Sequence, residues 1–312
     1  MYFAATALAL LIERFAGYPE MLSRRIGHPV EWIGQFIAWL DARFNPEGKP
    51  GSRMAGVIAL LASLLVTASL AVAVALLLRK LPYGWIAEAI IATPFLAQKS
   101  LGDHVRAVAD GLDTSLEQGR VAVSRIVGRD PQALDRSGVS RAALESLGEN
   151  SSDGIVAPAF WFALFGLPGI VLYKAINTAD SMIGHKSPRY LSFGWAAARL
   201  DDLVNLPCSR LTGLFFALAA SGENSRAAFV AMARDAHRHV SPNAGWPEAA
   251  LAGALGLRLG GPRSYGGRHV DLAAMGDGRS DLAAGDIRDG LRLYSRALSL
   301  LTALCVALAV LF

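Results

Sequence analysis

Long apolar runs alternate with polar stretches along the chain, and these runs predict four membrane spans. The clearest run is 54–78, which contains no charged side chain, and about 20 apolar residues suffice to cross a bilayer. The runs at 1–16 and 84–97 predict two shorter spans, and the second contains Glu88. A buried acid is costly in a membrane unless it faces the protein interior. The last predicted span is 291–312.

A different pattern marks the stretch around residues 149–205. Two apolar halves, each about 10 residues long and too short to cross a bilayer, meet at Gly166-Leu167-Pro168-Gly169. A polar cluster lies at the outer end of each half. If the chain reverses at the glycine-proline break, both clusters emerge on one side of the membrane, which predicts a re-entrant helical hairpin over 155–180. The alternative is one kinked spanning helix from Ile155 to Ile176.

The whole pattern predicts an all-α fold: a polytopic integral membrane protein without significant β-sheet, with 1–312 forming a single domain. Polar helical loops are expected at 98–154 and 223–290, and apolar positions at helical spacing predict an amphipathic helix over 100–127. Because Lys and Arg concentrate in cytoplasmic loops, the basic residues place both loops in the cytoplasm.

Composition supports a membrane protein and argues against a nucleic-acid partner. Hydrophobic residues make up 53% of the chain and charged residues 18%, against about 45–50% and about 25% in soluble domains. The net charge of +4 is spread over the loops, which suits anionic headgroups or substrates rather than a nucleic acid. Cys208 and Cys305 lie in apolar surroundings and are predicted to be buried, inert thiols.

Familiar signatures of nucleotide, zinc and hydrolase sites do not occur in the sequence. It contains no GxxxxGK[ST], no HExxH or CxxC, and no GxSxG. What remains is a set of acids and amides beside apolar segments. The candidate catalytic residues are Glu149, Asn150, Asp153, Asn177 and Asp180. Mg²⁺ is held by one or two carboxylates with substrate phosphate completing its shell, and the candidate ligands are Asp153, Asp180, Asp201 and Asp202.

Cations and aromatic residues near these acids are candidates for substrate binding. Basic side chains can clamp phosphate or carboxylate groups, although positive-inside bias also explains them. Tryptophans can form pocket walls or a membrane-interface belt. Glu248 either contacts substrate or interacts with the dipole of its own helix. The candidate substrate-binding residues are Arg125, Lys174, Lys186, Tyr190, Trp195, Arg199, Asn243, Trp246 and Glu248.

Several segments also carry a family resemblance. HPVEWIG, RAALESLGENSSDGIVAPAFW, YKAINTADSMIGHKSPRYLSFGWAAARLDDLVN and SPNAGWPEAALAGALGLRLGG resemble the adenosylcobinamide-phosphate synthase family of cobalamin biosynthesis (CobD/CbiB). They occur in the family's order and cover most of 27–267. One departure is Tyr18, which stands where the family commonly has Asp, so an essential acid at this position is excluded.

The resemblance implies a multi-pass enzyme of the bacterial cytoplasmic membrane with its active face in the cytoplasm. Such an enzyme joins the propionate carboxylate of adenosylcobyric acid to the amine of (R)-1-amino-2-propanol O-2-phosphate or aminopropanol. ATP is a co-substrate, Mg²⁺ is expected, and the corrinoid is substrate rather than cofactor. Other late cobalamin-assembly enzymes are possible partners. The general base, the phosphorylation of the amine, the mode of ATP binding and the oligomeric state stay open.

Two alternatives come from other functional classes. A Mg-dependent membrane phosphotransferase of lipid head groups would also use acidic clusters, but DDLVNLPCSR lacks the fixed Asp spacing typical of that class. A membrane sensor or transport-related protein of the same superfamily is the non-enzymatic alternative. Transporters typically contain internal repeats, and the sequence shows none.

Overall fold

A computed structural model describes residues 1–47, 51–128, 131–261, 263–265, 268–270 and 272–312. The described chain is almost entirely helical, which confirms the all-α prediction. Its helices are α1 (Phe3–Ala16), α2 (Glu20–Ile26), α3 (Pro29–Phe44), α4 (Arg53–Leu78), α5 (Gly84–Ala92), α6 (Gln98–Thr114), α7 (Leu116–Val123), α8 (Arg136–Ser151), α9 (Ala157–Phe165), α10 (Leu167–Ile183), α11 (Tyr190–Phe193), α12 (Trp195–Ala219), α13 (Glu223–Asp235), α14 (Gly245–Leu255) and α15 (Ala284–Leu311).

Short irregular helices and strands complete the described fold. Thr93–Phe95 and Ala236–Arg238 are 3₁₀ turns, and Ser152–Val156 is a π-helical turn between α8 and α9. The strands are β1 (Leu259–Gly260), β2 (Arg263–Tyr265), β3 (Arg268–Val270) and β4 (Ala274–Met275). They form two antiparallel pairs, β1 with β4 and β2 with β3, and Leu259 lies opposite Met275.

The chain, predicted as a single domain, is divided into two compact units. Unit 1 consists of Met1–Ala97, Ala157–Asn205 and Leu304–Phe312. Unit 2 consists of Gln98–Val156 and Leu206–Ala303. Each unit is therefore assembled from segments that are distant in sequence.

Helix α10 is the central element of unit 1 and packs against α3, α4 and α9. The start of α3 is fixed by a capping box: the His28 side chain accepts from Val30 N, and Glu31 accepts from His28 N. Pro29 occupies the first turn, where its missing N–H costs nothing. Gly56 lets α4 approach the Phe193 carbonyl so closely that an added Cβ would lie 1.8 Å from its oxygen.

A sharp break separates α9 from α10 at the predicted position. Helix α9 ends at Phe165, Gly166 adopts a φ of +66°, and α10 begins at Leu167. The two helices contact each other, and whether they form a re-entrant hairpin or the two halves of one kinked span stays a prediction. Buried Glu88 of α5 accepts a 2.8 Å hydrogen bond from Leu167 N and so satisfies the N-terminus of α10. The expectation that this acid faces the protein interior is confirmed. The bilayer position of the helix pair remains a prediction.

Unit 2 contains close pairs of helices, α6 with α7 and α13 with α14. The amphipathic helix predicted over 100–127 is instead two helices, because Ser115 ends one and caps the next by accepting from Gln118 N. The apolar face predicted for this segment is confirmed within α6, because Val105, Val108 and Leu112 are fully or almost fully buried. Gly253 lets α14 approach α13 closely, because an added Cβ would lie 2.5 Å from the Ala227 oxygen.

Two described helices are long and apolar enough to cross a membrane: Arg53–Leu78 and Ala284–Leu311. Only 28% of the most apolar window of α4 is buried inside the protein. Large apolar side chains such as Leu61, Leu65 and Leu70 are left exposed. Such a surface favours a membrane protein over a soluble core helix. The predicted spans at 1–16 and 84–97 correspond to helices of 14 and 9 residues.

Candidate functional site

Unit 1 contains a hydrogen-bonded network around Asp201. The Asn177 side chain on α10 donates to Asp201 Oδ1 at 3.3 Å, and Asn205 on α12 donates to Asp201 Oδ2 at 3.0 Å. Asn205 is in turn held by the Tyr173 hydroxyl, which donates to its Oδ1 at 2.9 Å. Lys174 Nζ donates to Asn177 Oδ1 at 3.4 Å. We call these residues, together with Asp180 and Asp202, the unit 1 network.

The carboxyl groups of the unit 1 network resist ionisation. Burial, and secondly the charge of Asp180, raise the pKa of Asp201 to about 6, although hydrogen bonds from Asn177 and Asn205 lower it. Burial also raises the pKa of Asp180, with Asp202 adding to the effect. The pKa of Asp202 is raised by burial against the opposing charges of Arg199 and Lys186. Neighbouring carboxylates that destabilise one another are a setting in which a bound cation is stabilising.

Basic residues surround this network. Burial lowers the pKa of the His28 imidazole, and the charge of Glu31 partly restores it. The charge of Lys174 also lowers this pKa, so Lys174 lies near His28. The ring of Tyr18 packs edge-on against His28 at 4.7 Å. Lys186 is exposed, and Arg199 forms a 3.7 Å ion pair with Asp202.

Two predicted substrate-binding residues of unit 1 make other contacts. The Tyr190 hydroxyl donates to Asp41 Oδ2 at 3.1 Å, beside the Arg189–Asp41 ion pair of 2.9 Å. Trp195 lies under the Arg53 guanidinium, 5.3 Å from the ring centroid. Tyr190 is therefore engaged with Asp41 and Trp195 with Arg53, both outside the unit 1 network.

Unit 2 contains a cavity of about 510 Å³ lined by three glutamates and one histidine. We call it the carboxylate cavity. Glu145 and Glu149 come from successive turns of α8, and Glu248 comes from the first turn of α14. Glu248 is only 4% exposed, and its Oε1 lies 3.8 Å from Nε2 of His239. Glu145 accepts from Gly260 N at 2.8 Å. A cavity with this lining suits a cationic group.

The packing of α8 against α14 explains how these acids come together. Gly148 lies one residue before Glu149, and a Cβ built on it would touch the backbone and side chain of Glu248 at 3.5 Å. Asn150 is directed back onto its own helix, because its amide donates to Ser146 O and Oγ. Ser146 also lines the cavity, and its hydroxyl donates to Ile126 O.

The remaining predicted residues of unit 2 have varied environments. Asp153 lies in the π-helical turn, and its charge adds to the burial that raises the pKa of the Cys208 thiol. Buried Asn243 accepts from Ser209 and Arg210, and the Arg210 guanidinium lies over the Trp246 ring at 4.6 Å. Arg125 is exposed in the turn after α7. Both cysteines are buried, and the raised thiol pKa fits an inert Cys208.

The predicted site residues thus fall into two groups. Lys174, Asn177, Asp180, Asp201 and Asp202 belong to the unit 1 network, and Lys186 and Arg199 lie at its border. Glu149 and Glu248 line the carboxylate cavity of unit 2. Asn150 and Asp153 also lie in unit 2 but are not among the described residues that line this cavity. Sequence reasoning missed Glu145 and His239, although Glu145 is four residues before Glu149 and hence on the same helical face.

The donor chemistry of the unit 1 network fits a hard divalent cation, since its acids supply oxygen ligands in partly buried, mutually repelling positions. Among the residues that the structure describes, no three His, Cys, Asp or Glu side chains are already gathered in a metal-binding arrangement. This combination fits an ion held by one or two carboxylates together with oxygen atoms of a substrate.

Comparisons with known proteins cover nearly the whole chain. A family model described as CobD/Cbib protein matches residues 6–294. A cobalamin biosynthesis protein CobD from Rhodobacter capsulatus is 53% identical, over 100% of this chain and 99% of its own. Proteins described in the same words are 49% identical in Sinorhizobium sp (97% of each chain) and 51% identical in Brucella suis biovar 1 (96% and 95%). No solved structure matches the chain significantly.

Proposed function

The chain belongs to the CobD/Cbib protein family, and from this premise we propose that it is an enzyme of cobalamin biosynthesis. It forms the amide bond between the propionate carboxylate of adenosylcobyric acid and the amine of (R)-1-amino-2-propanol O-2-phosphate, and it consumes ATP. The observation that carries this proposal is the full-length similarity to proteins described as cobalamin biosynthesis protein CobD.

The unit 1 network supports an activation step. A carboxylate does not react with an amine near neutral pH until it is activated, commonly as an acyl phosphate. Asp180, Asp201 and Asp202 would hold Mg²⁺, which when bound neutralises phosphate charge. Lys174, Lys186 and Arg199 border these acids and add positive charge for phosphate oxygens.

The carboxylate cavity supports the second half of the reaction. An amine arrives as an ammonium ion and must lose a proton before it can attack the activated carbon. Glu145, Glu149 and Glu248 would attract the ammonium, and Glu248, paired with His239 at 3.8 Å, would accept its proton.

The proposal includes a multi-pass location in the cytoplasmic membrane with the active face in the cytoplasm. It is supported by the two helices of membrane-spanning length and by the exposed apolar side chains of α4. A corrinoid is wide and amphipathic, so a site near the membrane surface suits it. Other late cobalamin-assembly enzymes are proposed partners on that surface.

One assay tests the activity. Purified protein is incubated with adenosylcobyric acid, aminopropanol phosphate, ATP and Mg²⁺, and the amide is sought by mass spectrometry. The amide is expected only when all four components are present. Transfer of a head group to a lipid acceptor without amide would favour the phosphotransferase. Corrinoid binding without turnover would favour the sensor or transport alternative.

A further inference from the structure

A second cavity of unit 2, of about 530 Å³, is lined by three arginines. Arg234 lies on α13, Arg238 lies in the 3₁₀ turn that follows, and Arg258 follows α14. Asp235 and Asp277 also line it, so these five charged side chains carry a net charge of +1. We call it the arginine cavity.

The two acids of the arginine cavity are already engaged. Arg234 binds Asp235 through two hydrogen bonds of 2.9 and 2.7 Å and reaches Asp277 at 2.5 Å. Asp235 also accepts from Gly276 N at 2.9 Å. These contacts fix Arg234 in place. Arg238 reaches Asp235 only at 3.5 Å, and among these described residues Arg258 forms no ion pair with either acid.

Arg238 and Arg258 have donors left for a ligand. Arg238 is 55% exposed and lies 3.5 Å from Asp235. Arg258 is exposed and forms no side-chain hydrogen bond or ion pair with the part of the chain that the structure describes. Guanidinium groups present planar pairs of N–H donors that match phosphate oxygens. The arginine cavity is therefore built for a phosphate group.

The arginine cavity adjoins the carboxylate cavity. Leu272 and Ala273 line both of them, so one short segment borders both cavities. The Ala273 carbonyl is fixed by Gly261 N, which donates to it at 3.2 Å. Two neighbouring cavities of opposite charge match a small molecule that carries an ammonium and a phosphate.

We propose that the arginine cavity binds the phosphate of the amino-alcohol substrate, while the carboxylate cavity binds its ammonium. This inference rests on the proposed function and deepens it, because it assigns the residues that hold the phosphate and the ammonium of the amine. A nucleoside triphosphate is a poorer match, since its larger negative charge would lie beside the three glutamates of the neighbouring carboxylate cavity.

The test is isothermal titration calorimetry of the full chain in phosphatidylcholine nanodiscs, with aminopropanol phosphate as the probe. Arg258→Gln is expected to weaken binding by about tenfold or more, the effect of a lost charge-assisted hydrogen bond. Arg226→Gln is the matched control, because Arg226 is exposed on α13 and does not line the cavity. Unphosphorylated aminopropanol is expected to bind wild type and Arg258→Gln equally.

Four results would overturn the inference. The first is that Arg258→Gln binds the phosphorylated amine as tightly as the wild type does, and the second is that Arg258→Gln raises only the KM for ATP. The third is that Arg226→Gln weakens binding as much as Arg258→Gln does. The fourth is that binding is lost when phosphatidylethanolamine replaces phosphatidylcholine. The last would assign the cavity to a lipid headgroup. Failure of the proposed function looks different: the wild type would bind aminopropanol phosphate, with affinity dependent on Arg258, yet form no amide.

Discussion

Asp201 makes the native state sensitive to pH. Its pKa is raised to about 6 in the folded chain, whereas an unfolded Asp ionises near about 3.9. The folded state therefore binds the proton more tightly. The stability this gives is present below about pH 4 and is lost as pH rises toward 6. At neutral pH the ionised carboxylate is a cost that a bound cation would remove.

We expect Asp201→Asn to be more stable than wild type at pH 7, by about 1–2 kcal/mol, because no buried charge remains. The difference should disappear at pH 4. Asn177 can turn its amide to accept from the new side chain. Thermal unfolding in detergent at the two pH values measures the effect, with Asp103→Asn as a control in an exposed ion pair.

Added Mg²⁺ should raise the Tm of wild type but not of Asp201→Asn. A less stable Asp201→Asn at pH 7 would contradict this account.

Glu248 allows a second prediction, on proton transfer. If it accepts the proton of the amine, Glu248→Gln should lower turnover by about 100-fold or more. An interaction with the helix dipole alone is worth only about 0.3–1 kcal/mol. The measurement is the pH profile of kcat, whose acidic limb should change in the variant. Glu223→Gln is the control, since Glu223 occupies the first turn of α13 and is exposed.

Trp246→Ala tests whether the turn from Asn243 to Glu248 contacts substrate or only supports the fold. It removes the ring under Arg210 and should lower the Tm. If Trp246→Ala and Glu248→Gln lower stability while the kinetic constants for adenosylcobyric acid and the amine are unchanged, the turn from Asn243 to Glu248 serves only as scaffold. Substrate contact by Asn243 stays a prediction, and its amide oxygen accepts from Ser209 and Arg210.

Among the elements, the break at Gly166 has two physical reasons to be glycine. Its φ of +66° is disfavoured for other residues, and an added Cβ would lie 2.7 Å from both Glu88 Oε1 and the Tyr2 ring. Gly166→Ala is expected to destabilise the chain by about 1–3 kcal/mol. Gly222→Ala is a matched control, because its φ is also positive but an added Cβ meets nothing within 4 Å. Equal losses of Tm would show that the Glu88 contact adds nothing.

Helix positions were predictable where apolar periodicity or a breaker residue dominated. The uncharged apolar run at 54–78 predicts a helix, and the Gly166-Leu167-Pro168-Gly169 sequence predicts a break. Both predictions agree with the described helices. The helix predicted over 100–127 was wrong in its continuity, because the apolar period extends across the turn that Ser115 makes. The pairing of Asp201 with Asn177 and Asn205 needed tertiary structure, since 24 residues separate Asp201 from Asn177.

For the molecule as a whole, membrane topology is the decisive measurement. A re-entrant hairpin over 155–180 predicts that both of its polar ends are labelled from the cytoplasm by a membrane-impermeant thiol reagent. Single cysteines at Asn150 and Ser181 are suitable, since both positions are exposed, whereas Ser152 is buried. Cys208 and Cys305 are buried and can be replaced by Ala in the background. Labelling from opposite faces would establish a continuous span.

The bond between Glu88 and Leu167 has a consequence for the order of synthesis. The two partners are 79 residues apart, and a ribosome that adds about 5–20 residues per second separates them by about 4–16 s. For that interval the nascent α5 carries a carboxylate whose native partner has not yet been made. A chain truncated after α5 should therefore remain open to proteases, and one that extends through α10 should become protected. Helix α5 packs mainly against α1, which is made earlier, so the arrival of α10 completes the hydrogen bonding of Glu88 on a helix that already has a partner.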